Sequence, residues 1–448
     1  MVFKLKKFRL PSLNEFIIVL MIFQVLILRW ISEDVLDFFN IILVVACIIA
    51  LCRYRSFINS KCMIALMLFM VYQLLNFLIL GGSIHFLMRN WFRTFKSLIL
   101  VIYITNLIKT NSKLLSKKLD SWWSWFNLYA LINIPILLQQ RTHDFTLTSL
   151  DSFMGRISYR NANYYSKDMM SGLFGLYGTP CLGMFITFLL LYNVYKSIEY
   201  KKAKNKMYKF IPILNVVLLA FYLWMATQND NKGFFVMLLL FVVVLILSLN
   251  ERRITTLKNS YAKVRGRING YLKVFFIVIV TLVAAWFFYS TMDTFKDVVD
   301  MAIQKIQEGI TFSQRQSLLS VQGGGERFAM ILYALSSAET ALVGAGLGNY
   351  VYTSGGLGFT HFGQADVGTF ICLGGSIYIL LMFAIVYFSF KRNFKNGILL
   401  KSLLAVFFLL SCYTHVFMDT SITISIMLTY FVIWKICYET LTRGYEDN

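Results

Sequence analysis

Residues 233–249 read GFFVMLLLFVVVLILSL, a stretch without a charged side chain that is long enough to cross a bilayer as a helix. Similar stretches occur at 12–29, 35–52, 62–80, 94–108, 122–139, 171–195, 210–227, 274–291, 368–390, 402–418 and 420–437. Hydrophobic residues make up 58% of the 448, and the mean hydropathy of +0.65 is higher than a soluble fold can accommodate. The sequence therefore predicts an all-α polytopic membrane protein of about twelve transmembrane helices.

The positive charges are concentrated in alternate loops. Roughly thirty of the 43 Lys and Arg residues fall on the side that also holds both chain ends, most densely in residues 250–273. Short loops rich in Lys and Arg stay in the cytoplasm, so both termini are predicted to be cytoplasmic. The same rule accounts for the net charge of +21, and no nucleic-acid partner is expected. The basic N-terminus lacks a small-residue cleavage site and is interpreted as part of a retained first helix.

Three outward-facing segments are longer or more polar than simple turns: 81–93, 140–170 and 292–367. The last is the largest and precedes the tenth span. Its apolar residues recur at helical spacing near Val298 and again from Phe328 to Leu335, so this outer loop is predicted to be partly helical. The chain 1–448 is interpreted as one membrane domain with elaborated outer loops, and function is sought in those loops.

Cations in the outer segments are not needed for orientation. The ones that become candidates for binding anions are Arg93, Arg156, Arg160, Lys232 and Arg327. Ordinary solvated loop charge is the alternative for each of them. Lys232 lies in the turn 228–233 between two spans, where a lysine either holds a lipid phosphate or only extends to the headgroups.

Two histidines raise the question of acid–base or metal chemistry. His361 lies just before the tenth span, where a neutral imidazole can act as a general base, and Asp366 follows five residues later. A structural histidine is the alternative. His415 and Asp419 are expected four residues apart on one helix face, and without a third ligand they favour an intramembrane hydrogen bond over a metal site. The seven cysteines lack CxxC spacing, which argues against disulfides and zinc.

Several motifs in order resemble the O-antigen polymerase and ligase family, which includes capsular repeat-unit polymerases. Besides the many spans, they are SGLFGLYGTPCLG (171–183), ATQNDNKGFFVMLLL (226–240) and, near the C-terminus, ERFAMILYALSSAETALVGAGLGNY (326–350) followed by THFGQADVGTFICLGGSIYILL. The resemblance covers roughly 165–390. Many members carry Ser-Arg-Gly at the hairpin, where this chain has Asn231-Lys232-Gly233; the lysine keeps the charge but loses bidentate geometry.

The resemblance implies a metal-independent glycosyltransferase without a cofactor, in the bacterial cytoplasmic (inner) membrane, with its active site facing the periplasm or outer side. Such an enzyme transfers a growing glycan from undecaprenyl pyrophosphate to a lipid-linked repeat unit. Arg327, with Lys232 and either Arg156 or Arg160, is expected to hold the pyrophosphate, and Arg93 is a further expected binding residue. His361 is expected to orient or deprotonate the attacking hydroxyl, with Asp366 as a second candidate base or as an orienting partner. The expected partners are the lipid-linked oligosaccharides and membrane lipids; binding of a chain-length regulator is left open.

Three alternatives remain at this point, the last being a sensor or purely structural membrane protein, since span count does not determine function. A ligase would move the finished glycan to lipid A core, and its deletion would leave free lipid-linked chains instead of single repeat units. A flippase would carry lipid-linked oligosaccharides across the membrane, but such transporters place charged or broken segments near the bilayer midplane. The predicted spans are nearly free of charge there, which favours an enzyme on the outer face.

Overall fold

The computed structural model describes residues 12–28, 33–54, 60–142, 170–175, 178–228, 233–255, 260–291, 325–335, 341–349, 365–393 and 397–442, with isolated positions between 293 and 311. These residues are almost entirely helical, in the order α1 Leu13–Phe23, α2 Glu33–Cys52, α3 Lys61–Leu80, α4 Ile84–Thr142, α5 Thr179–Lys202, α6 Phe210–Gln228, α7 Gly233–Thr255, α8 Ser260–Thr291, α9 Gly325–Leu335, α10 Asp366–Asn393, α11 Gly397–Tyr413 and α12 Thr420–Thr442. The predicted all-α architecture is confirmed for the described residues.

Within these ranges, nine helices are long and apolar enough to cross a membrane, and two shorter apolar helices accompany them. The chain is therefore a polytopic helical membrane protein. α4 contains both 94–108 and 122–139, which the sequence predicts as separate spans, and its helical geometry breaks between them at Asn111 (φ −141°, ψ 41°). A straight helix of its 59 residues would be about 88 Å long, nearly three times the hydrocarbon thickness. Two crossings by α4, and hence about twelve in all, stay a prediction.

α12 lies at the centre of the bundle. Its segment Thr420–Cys437 is 94% buried and packs mainly against α5 and α4. The ring of Tyr430 contacts Phe241 of α7 and Phe390 of α10, with ring centroids 5.7 and 6.4 Å apart. By contrast, the most apolar part of the segment Ile268–Thr291 of α8 has no buried residue among those described, as expected for a helix that faces lipid tails.

α10 is interrupted near its start by a second chain segment. Gly375 adopts φ +70°, and a Cβ there would lie 2.0 Å from the carbonyl oxygen of Leu342. Only glycine tolerates both this backbone conformation and this contact. The break exposes the carbonyls of Cys372 and Leu373, which accept hydrogen bonds from the backbone of the inserted segment 341–349. The first two turns of α10 are thereby fixed as a short, separate unit.

Two asparagines hold the inserted segment 341–349 in place. The Asn76 amide of α3 donates to the carbonyl of Val343 at 2.7 Å and accepts from the N–H of Leu347 at 2.8 Å. Asn90 of α4 donates to the carbonyl of Leu347 at 2.9 Å. Non-helical backbone at membrane depth is tolerated when protein groups satisfy its hydrogen bonds. The side chains of Asn76 and Asn90 provide such hydrogen bonds for the segment 341–349.

The predicted span 171–195 starts later than the sequence suggests, because α5 begins only at Thr179. Residues Gly172–Phe174 instead form a 3-10 turn. Asn133 of α4 accepts a hydrogen bond from the N–H of Leu173 at 2.7 Å, and a Cβ on Gly172, which has φ +63°, would collide with the same amide. A side chain from another helix therefore replaces the helical hydrogen bond at this position.

The large outer loop 292–367 is described in part. α9 (Gly325–Leu335) confirms the helix predicted from Phe328 to Leu335, and Val299 and Ile303 of the earlier apolar pattern are also helical. α9 packs on the first turns of α10. The part of the smaller loop at 143–169 lies outside the described residues.

Candidate functional site

A small cavity of about 30 Å³ lies where several helix ends meet, with room for about two water molecules. Its lining residues come from the starts of α5 and α7, the end of α11, and α9; they are Thr179, Pro180, Gly233, Met237, Arg327, Tyr413 and Thr414. The loop-charge pattern assigns all of these ends to the outer side. Their meeting in one cavity agrees with the predicted alternation of the spans.

Among the described residues, Arg327 is the only cation that lines this cavity. Its guanidinium carbon lies 4.2 Å from the centroid of the Tyr413 ring, a geometry in which the ring's negative face attracts the cation. Met330, one turn further along α9, packs against the backbone at Gly368, where a Cβ would approach Met330 Cβ to 3.1 Å. The absence of a side chain at Gly368 lets α9 lie close to α10 and sets the position of Arg327.

Gly233 brings the start of α7 against the same tyrosine. A Cβ on Gly233 would lie 2.5 Å from Cε1 of Tyr413, so a larger residue would displace the ring that supports Arg327. α6 ends at Gln228 and α7 begins at Gly233, so the helix ends on both sides of the predicted turn are confirmed. Lys232 itself lies outside the described residues.

Asp366 begins α10 and is fully buried. Its carboxylate accepts a hydrogen bond from the N–H of Phe417 and lies 3.4 Å from Nδ1 of His415. The Asp366 side chain is 1% exposed and that of His415 35% exposed. A buried carboxylate therefore lies behind a histidine that other molecules can reach.

The expectation that His415 and Asp419 share a helix face is wrong. α11 ends at Tyr413, α12 begins at Thr420, and the residues between them form turns. Asp419 instead accepts hydrogen bonds from the Cys181 thiol at 3.2 Å and from the N–H of Ser421 at 2.9 Å. The turn arises because Asp366 and Asp419 both bind backbone N–H groups that a continuous helix would use internally.

The structure places the predicted site residues in three groups. Arg327 and Asp366 lie on packed helices, α9 and α10, beside the turn that follows Tyr413. Arg93 is half-buried on α4, next to Thr94, whose hydroxyl bonds the Tyr378 hydroxyl of α10 at 2.7 Å; it does not line the cavity. The predicted site residues outside the described part of the chain are Arg156, Arg160, Lys232 and His361.

His415 is a site residue that the sequence analysis did not select. Its partner Asp366 is 49 positions away in the chain, and the turn that carries His415 is hidden between two consecutive apolar stretches.

On α9, burial raises the pKa of the Tyr333 phenol, and the Cys372 thiol adds to the effect, so Tyr333 stays neutral at physiological pH. Among the described residues, no three His, Cys, Asp or Glu side chains group in a way that could hold a metal ion.

The chain matches no protein-family model, no curated protein and no solved structure. Its function is therefore argued from the cavity and its neighbours.

Proposed function

We propose that this chain is a metal-independent glycosyltransferase that polymerises polysaccharide repeat units at the outer face of a bacterial cytoplasmic membrane. It would transfer a growing glycan from undecaprenyl pyrophosphate to a lipid-linked repeat unit. The observation that carries the proposal is Arg327, a cation held over an aromatic ring at a cavity that the predicted topology assigns to the outer side. The motif resemblance described above supports the choice of substrate.

The chemistry of this transfer suits a fixed cation. When the bond from the sugar to pyrophosphate breaks, negative charge develops on the leaving group, and a preorganised donor stabilises it more than mobile water does. Arg327 on Tyr413 is such a donor. The starts of α5 and α7, which also line the cavity, add the positive ends of their helix dipoles. These features favour an anionic leaving group at the cavity.

The other predicted binding residues complete the proposal. Lys232 directly precedes the cavity residue Gly233 in the chain, and with Arg156 or Arg160 it is proposed to share the pyrophosphate charge. Arg93 is proposed to contact the glycan. His361 stays a candidate for orienting or deprotonating the attacking hydroxyl. The active site faces outward, both termini are cytoplasmic, and no cofactor takes part in this proposal.

The experiment is complementation of a deletion strain, with the polysaccharide displayed by length. Arg327→Ala is expected to lower polymer formation about 100-fold, because the loss of one such donor removes roughly 3 kcal/mol of transition-state stabilisation. Arg141→Ala is the matched control, since Arg141 also lies over an aromatic ring, that of Trp224 at 4.9 Å, but does not line the cavity. Membrane levels of each variant are measured in the same cells.

Each outcome is informative. A ladder that collapses to a single repeat in the deletion strain supports a polymerase. Full-length chains that stay on the lipid carrier would support the ligase alternative, and repeat units that accumulate on the cytoplasmic side would support the flippase. Normal ladders with Arg327→Ala would overturn the assigned role of the cavity.

A further inference from the structure

We propose that His415, held by Asp366, is the general base that deprotonates the attacking sugar hydroxyl. This inference rests on the proposed glycosyltransferase function and deepens it, because it places the proton acceptor on the turn after α11 instead of at His361. The observation that carries it is a buried carboxylate lying behind a partly exposed imidazole, directly after two residues that line the Arg327 cavity.

The orientation of the His415 ring fits this role. Nδ1 faces Oδ1 of Asp366 at 3.4 Å, so an ionised carboxylate favours the tautomer with hydrogen on Nδ1. That leaves Nε2, on the opposite side of the ring, as the proton acceptor. A histidine oriented by a buried acid in this way is a recurring arrangement for general bases. In this arrangement Asp366 is a positioning residue.

The turn that carries His415 is fixed on both sides. Asp366 Oδ2 accepts from the N–H of Phe417, and the N–H of Asp366 donates to the carbonyl of Thr414 at 3.4 Å. The Thr423 hydroxyl of α12 donates to the carbonyl of Val416. His415 is thus held between the start of α10 and the start of α12. A base fixed in this way loses little orientational freedom when substrate binds.

The position of His415 along the chain links it to the leaving-group site. Tyr413 and Thr414 line the cavity with Arg327, and His415 is the next residue. The cavity has room for only about two waters, so phosphate oxygens would occupy it while the sugars extend outward. The exposed edge of His415 is where an acceptor hydroxyl can approach the anomeric carbon.

The proposed step exchanges one bond at the anomeric carbon of the donor sugar for another. The acceptor hydroxyl oxygen forms a bond to the anomeric carbon as the bond from that carbon to the pyrophosphate oxygen breaks. The bonding pair leaves with undecaprenyl pyrophosphate beside Arg327. The hydroxyl proton passes to Nε2 of His415, and Asp366 stabilises the resulting imidazolium without taking the proton. The imidazolium then releases its proton to solvent.

The experiment measures the polymerisation rate of purified protein in bilayers, at saturating and at low concentrations of lipid-linked repeat units. His415→Ala is expected to lower the saturated rate about 100-fold while the half-saturating concentration changes less than about threefold. Added imidazole is expected to raise the rate of His415→Ala at least about tenfold, which it would not do if the histidine were purely structural. Asp366→Asn is expected to lower the saturated rate about tenfold, again with little change in half-saturation.

A second variant and a control keep the test decisive. His415→Gln retains a polar side chain but cannot take up the proton, so it is expected to fold normally and to be as slow as His415→Ala. His85→Ala is the control, because His85 is an exposed histidine near the start of α4, also on the predicted outer side. A His415→Gln rate within about threefold of wild type, or a slow His415→Ala that imidazole leaves unchanged, overturns the proposal. If Arg327→Ala is slow while both His415 variants are fast, only this inference fails and the proposed function stands.

Discussion

Two groups of buried and half-buried polar side chains lie at opposite ends of the bundle and differ in one respect. The first, here called the cavity cluster, consists of Arg327, Asp366, Tyr413 and His415. The other, here called the lysine cluster, consists of Asp120, Tyr195, Lys196, Glu199 and Lys435. Lys196 follows the cavity residue Thr179 by about 25 Å along α5, on the side that the sequence predicts to be cytoplasmic.

In the lysine cluster, side chains of the protein contact the cations directly. Lys196 donates to Asp120 at 3.1 Å and also to Glu199. Lys435 donates to the Tyr195 hydroxyl at 2.9 Å and lies 4.8 Å from the centroid of the same ring. This arrangement satisfies charges that would otherwise be expensive inside a membrane protein.

In the cavity cluster, Asp366 is buried, but two of the other polar side chains border open space. Arg327 is stacked on Tyr413 in the same way as Lys435 on Tyr195, but it lines a cavity. His415 keeps a third of its side chain exposed. Buried charge that is satisfied within the protein serves stability, whereas buried charge next to a cavity is a candidate for binding and catalysis. The comparison therefore favours the cavity cluster as the place of the proposed function.

Among changes that alter packing and leave Arg327 and His415 in place, the largest effect on rate is expected from Gly233→Ala. The new Cβ would lie 2.5 Å from Tyr413 Cε1, so the ring and the guanidinium on it must move, and the polymerisation rate should fall about tenfold. Gly270→Ala is the control: its Cβ would also collide with a side chain, that of Asn250, but near the opposite end of α7. Equal polymerisation rates for the two variants would show that the position of the Tyr413 ring does not affect the reaction.

A smaller effect on rate, with a clear local signature, is expected from Asn76→Ala. The change leaves the carbonyl of Val343 and the N–H of Leu347 unpaired, at about 1–3 kcal/mol each. Hydrogen exchange in 341–349 should accelerate, and the rate should fall a few-fold as α9 loosens. Asn106→Ala is the control, since the Asn106 amide donates to the Ile102 carbonyl of its own helix and does not contact segment 341–349. An unchanged rate of hydrogen exchange in 341–349 would show that the Asn76 side chain is not needed to hold this segment.

The smallest effect on rate is expected from Lys196→Met, in the lysine cluster. Removing the cation takes one partner from Glu199 and one from Asp120, which keeps the hydrogen bond from the Tyr192 hydroxyl at 2.6 Å. The side chains of Asp120 and Glu199 are 32% and 41% exposed and keep contact with water. The loss of stability should therefore be about 2 kcal/mol, less than for a fully buried pair. Thermal unfolding of the purified protein measures it. The rate per folded molecule should be unchanged, and a large drop would contradict the division between the two clusters.

Much of the helical architecture could be predicted because hydrophobic length and loop charge are local properties of the sequence. Arg327 and Asp366 could be selected because they stand in polar or glycine-rich outer segments. The pairing of Asp366 with His415 could not, because it joins residues far apart in the chain through a turn that lacks Pro and Gly. The hydrogen bonds between Asn76 and segment 341–349 could not be predicted either, since a single asparagine in an apolar span does not reveal the segment it binds. The roles of Arg156, Arg160, Lys232 and His361 stay predictions.

The most direct test of the central claim is the rate at which purified protein in nanodiscs releases undecaprenyl pyrophosphate from lipid-linked repeat units. The substrate can be isolated from cells that lack this chain. Wild-type protein and Arg141→Ala are expected to release the carrier at similar rates, and Arg327→Ala about 100-fold more slowly. Release by Arg327→Ala at the wild-type rate would contradict the assignment of the leaving-group site to this cavity.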